Sequence, residues 1–395
     1  MVPCDEEAAV SGVEGYIYPN ELELQWSLLI VLYPFITGLV AGAFILASLE
    51  RVFNVQAVKP TYRLALLTAL AFMVVAPLPL QLHLGHPERS FEMYLTPHTT
   101  SAMAMFGFVY LWYLMAVLVV EIWLEYRKEI VIAWREAKGI RRLGYAVLAL
   151  GSRNISDAAL RIDDRAGRLV TIIGIPSAFL LHGYVGFIFG SVKANPWWST
   201  PMMPVVFLFS AIVSGIALVM LMYMAATWYR RIPVDMTCLD TIARYLLYAF
   251  LIDVSLELLD LLHRIYEADE SFKTLDFMVH TRLFVSQIVL QLIVGTAVPI
   301  ALLGVGRVAA NQSVRRAVYG VAGVLTLIGI FAMRWNVVIG GQLFSKSFLG
   351  YTTYKLDFAT REGLGVAILL LVLPFILLVA LVHVLPPWPR HRVTG

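Results

Sequence analysis

Asp253, Glu257, Asp260 and Arg264 recur at spacings of four, three and four inside an otherwise apolar run. On a helix those spacings put all four on one stripe that climbs roughly 16 Å. A charged group within a membrane span costs about 3 kcal/mol on insertion scales, so a column of three acids must face a polar interior. The chemistry open to such a column is to hand protons along the stripe. The competing reading is structural, with Asp260 and Arg264 at the solvated end and Asp253 paired to a cation such as Arg244 or Arg334. A milder stripe, His280, Gln287 and Gln291, follows at spacings of seven and four and either faces the first or serves as interhelical glue. Glu121, near the inner end of another apolar run, is a candidate proton entry or simply a residue reaching the interface.

Histidines supply the second signal. Gly85-His86-Pro87-Glu88-Arg89, then Pro97-His98-Thr99-Thr100-Ser101-Ala102-Met103, make a polar hairpin between two long apolar runs. His83, His86 and His98 cluster around it, and His182 lies late in a run that ends on the same side. Gln25, Trp26 and Tyr184 are expected at the same depth. A histidine can donate a hydrogen bond to a carbonyl and exchange its proton near neutral pH. Placed where hydrocarbon meets water, that group suits a molecule with an apolar tail and a redox-active, proton-accepting head, which is a quinone. Haem b needs axial histidines facing each other inside a bundle, whereas His182, His263 and His280 all fall near one end of their runs, so neither haem nor metal is expected. Cys4 and Cys238 are the only cysteines, too few for an iron–sulfur cluster, so any cluster belongs to a partner.

The elements that carry these residues follow from composition. Of 395 residues 59% are hydrophobic and 14% charged, which excludes a water-soluble globular domain. The chain reads as an all-α polytopic membrane protein of about nine transmembrane helices (8–10). The runs are roughly 24–49, 61–82, 101–124, 169–190, 203–229, 241–263, 281–303, 315–335 and 362–384, each long enough for a core of about 30 Å. The first is too long for a signal-peptide core and is read as a retained span. Arg51, Arg63, Arg127, Arg141, Arg142, Arg161, Arg230, Arg231, Arg315 and Arg316 all fall in one alternating set of loops. By the positive-inside rule that set is cytoplasmic, which puts the N-terminus outside and the protein in the cytoplasmic membrane. Residues 125–168 are expected as the longest cytoplasmic connection, with an amphipathic helix on the inner surface. No module for nucleic acid is visible.

The organisation expected is an external segment 1–23, a first four-helix bundle over 24–190, a second over 203–335, an external loop 336–361, and a peripheral helix with tail over 362–395. Phe35–Leu46 and Phe209–Leu221 echo each other, both mixing Ser or Thr with Gly. Trp197-Trp198 is an interfacial aromatic anchor. The polar run from Arg334 through Asn336 and Gly340-Gly341-Gln342 to Arg361 begins an outer connection that must pack against something, because irregular backbone at membrane depth is otherwise excluded.

The hairpin resembles that of the NrfD/PsrC family of quinone-interacting membrane subunits, whose loop is similar to Gly-Arg-Pro-Glu-Arg followed by Pro-x-x-Ser-x-Met. His86 stands where that pattern has arginine. Arg334-Trp335-Asn336-Val337-Val338-Ile339-Gly340-Gly341-Gln342 is similar to the HybB-like branch, and the chain looks most like the DsrP type associated with sulfite reduction. The resemblance covers about residues 20–390. It implies two four-helix bundles, no metal or haem in this chain, and menaquinone or another quinone near the outer face. It also implies an external ferredoxin-like iron–sulfur subunit of the DsrO type, alongside other membrane and cytochrome subunits. Carried onto this chain, the quinone site would be Gln25, His83, His86, His98, Thr99, His182 and Tyr184. The proton path, read from the polar spacings above, would be Glu121, Asp253, Glu257, Asp260 and Gln287. Glu88, Arg89, Arg334, Asn336 and Gln342 would hold the loops.

The reading is a quinone-reactive subunit of a multi-subunit oxidoreductase in the membrane, exchanging electrons between quinol and an external cluster. Dissimilatory sulfur metabolism is the expected setting, and proton translocation an added possibility. A proton-coupled secondary transporter and a passive membrane anchor are the alternatives. Glycine and proline breaks concentrated near span ends weigh against the transporter.

Overall fold

The computed structural model describes residues 13–96, 98, 100–267 and 271–388. Thr99 and Pro97, from the hairpin, lie outside the described residues. Eight helices among those described are long and apolar enough to cross a membrane. They are α1 (Leu28–Arg51), α2 (Gln56–His83), α3 (Gly107–Glu136), α4 (Asp157–Gly190), α5 (Met203–Tyr229), α7 (Phe284–Val308), α8 (Gln312–Gln342) and α9 (Leu364–Val384). A ninth long helix, α6 (Met236–Glu267), has 32 residues, and the ionisable column keeps it from qualifying on apolarity. The chain is thus an all-helical polytopic membrane protein, as its composition requires.

α1 is the axis. Of its apolar window 94% is buried, against 22% for α9, which lies at the edge against α2. α1 packs on α2, α4 and α5, and α5 packs in turn on α4, α6 and α8. The α1–α5 contact is the most extensive, and glycine makes it possible: a Cβ on Gly215 would sit 2.4 Å from the Gly42 backbone, and one on Gly42 2.1 Å from the Ala211 carbonyl oxygen. Small residues let backbones touch where lipid offers no hydrophobic drive for association. The echo between Phe35–Leu46 and Phe209–Leu221 is therefore this crossing. Gly295 and Gly329 make the equivalent approach between α7 and α8.

Three boundaries correct the sequence reading. α3 runs on to Glu136 and α4 begins at Asp157, so the connection expected over 125–168 shrinks to 137–156. It carries the amphipathic surface helix Ile140–Leu148, with Ile140, Leu143 and Val147 exposed. The extension of α3 and α4 is held by ion pairs at the basic-rich end: Arg127 on Asp163, Arg51 on Asp164 at 3.1 Å, and Arg63 on Glu125 at 2.7 Å and Glu129 at 2.9 Å. α8 continues through Arg334 and Asn336, which are buried helical residues, not loop residues, because each finds a polar partner inside the bundle. His280 ends a separate short helix, Phe272–His280, and is divided from α7 by a break over 281–283.

The segment before α1 is strapped to the connection between α8 and α9. Glu14–Gly15 pairs antiparallel with Gly350–Tyr351, and Arg282 bonds Glu14 at 2.8 Å. Gln342 clamps the Trp26 backbone, accepting from its N–H at 2.9 Å and donating to its carbonyl at 3.1 Å. The polar outer connection is thus packed, as membrane depth demands.

Gly215→Val puts a branched side chain into backbone, which has nowhere to move. It is expected to abolish the monodisperse size-exclusion peak in mild detergent. Gly304→Val, where a Cβ meets nothing within 4 Å, is expected to leave the peak unchanged.

Candidate functional site

Arg334 is a guanidinium with no solvent exposure. One terminal nitrogen donates to Ser210 Oγ at 2.6 Å, the Phe207 carbonyl at 3.3 Å and His182 Nε2 at 3.0 Å. The other faces Met333 Sδ at 3.1 Å, and the group lies 3.9 Å over the Phe207 ring. Because the guanidinium can only donate, His182 Nε2 accepts, so the ring proton is on Nδ1 and points to Thr37 Oγ1 at 3.3 Å. The Thr37 hydroxyl in turn donates a hydrogen bond to the Tyr33 carbonyl at 3.0 Å. The His182 ring stacks on Phe207.

The carboxylates facing this cation are Asp253 and Glu257 of α6. Asp253 is buried, and its Oδ1 has no hydrogen-bond partner. Glu257 accepts from Gln291 Nε2 at 3.4 Å, and Gln291 Oε1 accepts from Asn336 Nδ2 at 2.8 Å. Higher on the stripe, Asp260 accepts from Thr200 Oγ1 at 2.5 Å and pairs with Arg264 at 3.0 Å. Arg264 also caps the Pro196 carbonyl at 2.5 Å, tying α6 to the Trp197-Trp198 turn. The acidic column therefore exists as the spacing predicts, and Arg334 is the cation set against its inner members.

Beside the column lies a cavity of about 440 Å³. Its origin is a splay. α6 packs on α7 mainly over Val298–Val308, at the basic-rich end, and more loosely over Phe284–Ala297, where α7 has π-helical turns and Gln291 reaches Glu257. Such widened turns are frequent at functional sites. The polar part of the wall includes Glu257, Asp260, Gln287, Gln291 and Asn336, with Thr200, Arg264, Asp276 and His280 toward the basic-poor end. Leu258, Leu261, Ile265 and Leu292 line it too and are 40–52% exposed on the face a bilayer would cover, so the rim is apolar. Among the described residues, two buried acceptors on this wall, Gln287 Oε1 and Asn336 Oδ1, lack a partner. Orphaned buried acceptors ask for a donor from a ligand or from water.

The histidines do not converge. His86 is 76% exposed and bonds its own neighbour Glu88 at 3.0 Å. His98 is exposed beside Thr100, and His83 bonds Glu362 at 2.8 Å. Gln25 is exposed, and Tyr184 is half-buried with its hydroxyl turned inward. Trp26, Phe189 and Trp198 pack ring on ring, 4.9 to 5.4 Å apart, and Phe189 continues to Phe207, sealing His182 from that end. Arg89 forks onto Glu92 at 2.8 and 2.9 Å, a fully exposed pair that holds the Glu92 carboxyl below the usual range. In the first half Glu121 is buried, accepting from Tyr62 at 3.0 Å and Thr171 at 2.7 Å, on α3 and off the α6 stripe.

Thr37, Ser210 and Thr200 are site residues that the sequence did not mark, because a lone hydroxyl in an apolar span usually bonds its own helix. Only the Ser/Thr–Gly echo, which contains Thr37 and Ser210, pointed toward them.

Comparison with known proteins adds the family. The family model described as polysulphide reductase, NrfD, matches residues 19–346. A selenate reductase subunit of Mesobacillus selenatarsenatis is 28% identical over 367 residues, covering 87% of this chain and 83% of that protein. A putative dimethyl sulfoxide reductase membrane subunit of Halobacterium salinarum is 29% identical, covering 56% and 48%. Protein NrfD of Escherichia coli is 29% identical, covering 50% and 59%.

Arg334 donates to Ser210, the Phe207 carbonyl and His182 inside the bundle, and removing it leaves those buried acceptors unsatisfied at about 1–3 kcal/mol each. Arg334→Gln is expected to lower the melting temperature in detergent sharply. Arg334→Gln with Asp253→Asn is expected to lose less than the sum of the two single losses, and additive losses would deny any coupling between the two.

Proposed function

This chain belongs to the polysulphide reductase NrfD family, and we propose that it is the quinone-reactive membrane subunit of a reductase complex, with its quinone site in the α6–α7 cavity. The observation that supports this most is the cavity itself: an apolar rim on the lipid-facing side leads to a polar wall with two unpartnered buried acceptors. Pockets for small lipophilic ligands combine apolar lining with a few placed polar groups in this way. A quinone bound there supplies two-electron, two-proton redox chemistry, with menaquinone the form the resemblance favours.

The residues fit such a head group. Gln287 and Asn336 present oxygens able to accept from quinol hydroxyls, and a flip of the Gln287 amide presents N–H to a carbonyl instead, while Asn336 is held by its bond to Gln291. Glu257 lies on the same wall and is the group placed to take or return a proton. Asp253, four residues inward, and Asp260, three residues outward, extend the path in both directions. Arg334 fixes the local charge, so a proton arriving on Asp253 or Glu257 changes the balance around a cation that cannot leave. Glu121, bonded within the first half, is assigned to proton entry at the basic-rich end.

Electrons pass to or from a partner at the basic-poor end, where the cavity and the His86 hairpin both lie. The exposed hairpin, with Phe91 55% and Leu95 72% exposed, is assigned to partner contact in place of the quinone role that its histidines suggested. The iron–sulfur partner of DsrO type, the DsrP-type branch, sulfur chemistry and the cytoplasmic membrane rest on the two sequence motifs and the loop charges. The relatives' names range over selenate and dimethyl sulfoxide, so the terminal substrate is left at the level of a reductase complex.

In the assembled complex Glu257→Gln is expected to slow quinol-dependent reduction of the partner by about 100-fold, the range of a lost general base. Gln287→Leu is expected mainly to raise the KM for quinol. His86→Ala with His98→Ala is expected to leave the turnover of assembled complex within about twofold, since neither touches the cavity wall. Stopped-flow kinetics with a menaquinol analogue reads all three. The opposite pattern, with histidine variants dead and cavity variants normal, moves the site to the hairpin, and no effect in either set leaves a passive anchor.

A further inference from the structure

A second cavity, about 590 Å³, lies at the basic-rich end between the end of α5 and the start of α8. Thr227, Trp228, Tyr229, Arg231, Ile232 and Arg316 line it, and the wall contains no acid. Arg51, Arg63, Arg127 and Arg315 at the same end are ion-paired, and Arg230 lies over the Trp388 ring, whereas these two arginines share a cavity wall that holds no acid. Among the described residues the side chains of Arg231 and Arg316 have no hydrogen-bond or ion-pair partner, and the Arg316 Nε is buried without an acceptor. The nearby acids are spent: Asp240 takes Arg315 at 2.7 Å and the Tyr319 hydroxyl at 3.1 Å, and Asp235 caps the Thr237 and Cys238 amides.

Two unpaired guanidiniums on one cavity wall recognise a phosphate, which they can bind through paired N–H groups. Trp228 and Tyr229, 82% and 77% exposed beside them, are the ring types that sit at headgroup depth. The cavity is much larger than a free phosphate needs, and its rings and Ile232 offer contact to an acyl chain. We propose that this cavity is a binding site for an anionic phospholipid of the adjoining leaflet, its phosphate held by Arg231 and Arg316. Basic pockets between spans at that depth are suited to such headgroups. The site lies at the opposite end of the helices from the quinone cavity and does not depend on that assignment.

Full-length protein in mild detergent, titrated separately with phosphatidylglycerol and phosphatidylcholine, is read by native mass spectrometry. Wild type is expected to retain phosphatidylglycerol preferentially. Arg231→Gln and Arg316→Gln are each expected to weaken it roughly fivefold, and the double variant about 25-fold, from the charge contribution near a membrane surface. Arg141→Gln with Arg142→Gln, on the surface helix, is expected to leave that binding unchanged. Equal loss in this control, no lipid preference in wild type, or saturation by inorganic phosphate at the expense of lipid would each overturn the proposal. If the double variant does not elute as a single peak, the two single variants carry the test.

Discussion

A buried arginine organises this protein. Taking a guanidinium out of water costs several kcal/mol even after relaxation, and Arg334 has no exposure at all. It is tolerable only because four helices besides its own answer it: α4 through His182, α5 through Ser210 and the Phe207 carbonyl, α1 through Thr37 behind His182, and α6 through its acids. The two halves of the chain therefore meet around one charge. The Gly42–Gly215 contact brings α1 and α5 close enough for that meeting. Asp253, on α6, is buried on the side of this cation.

The same arrangement gives different interiors to the first four helices, where the sequence places the quinone pocket, and to the α6–α7 region, where it places the proton path. On the α1–α4 side, rings fill the basic-poor end: Trp26, Phe189 and Trp198 pack together, and His182 is buried and bonded to Arg334. On the α5–α8 side, the π-helical turns of α7 carry it away from α6 and leave space beside the acids. What marks the cavity wall is the combination of space with acceptors, Gln287 Oε1 and Asn336 Oδ1, that are buried and have no partner among the described residues.

Much of this was legible in the residue order. The helical count followed from apolar runs, and the acidic column from spacings of four, three and four, because both signals are local and periodic. The crossing glycines were visible as an echo, without indicating which helices they joined. Depth along a helix was the weak point. His182 and the hairpin histidines are nearly level by residue counting, yet one is enclosed and the others are in the open, which is decided by rings from distant segments. Arg334 and Asn336 looked like the start of a loop because polar residues after an apolar run usually end a span. Their partners, Ser210 and Gln291, lie 124 and 45 residues away, beyond any local pattern.

The central claim is where the quinone head group lies, and photolabelling tests it most directly. An azidoquinone incubated with the membrane-embedded complex, irradiated and mapped by peptide mass spectrometry, is expected to label α6 near Leu258 and Leu261 and α7 near Leu292, with loss of label when excess menaquinone is present. Competable label confined to the first four helices, around Trp26 and the His86 hairpin, would contradict the account.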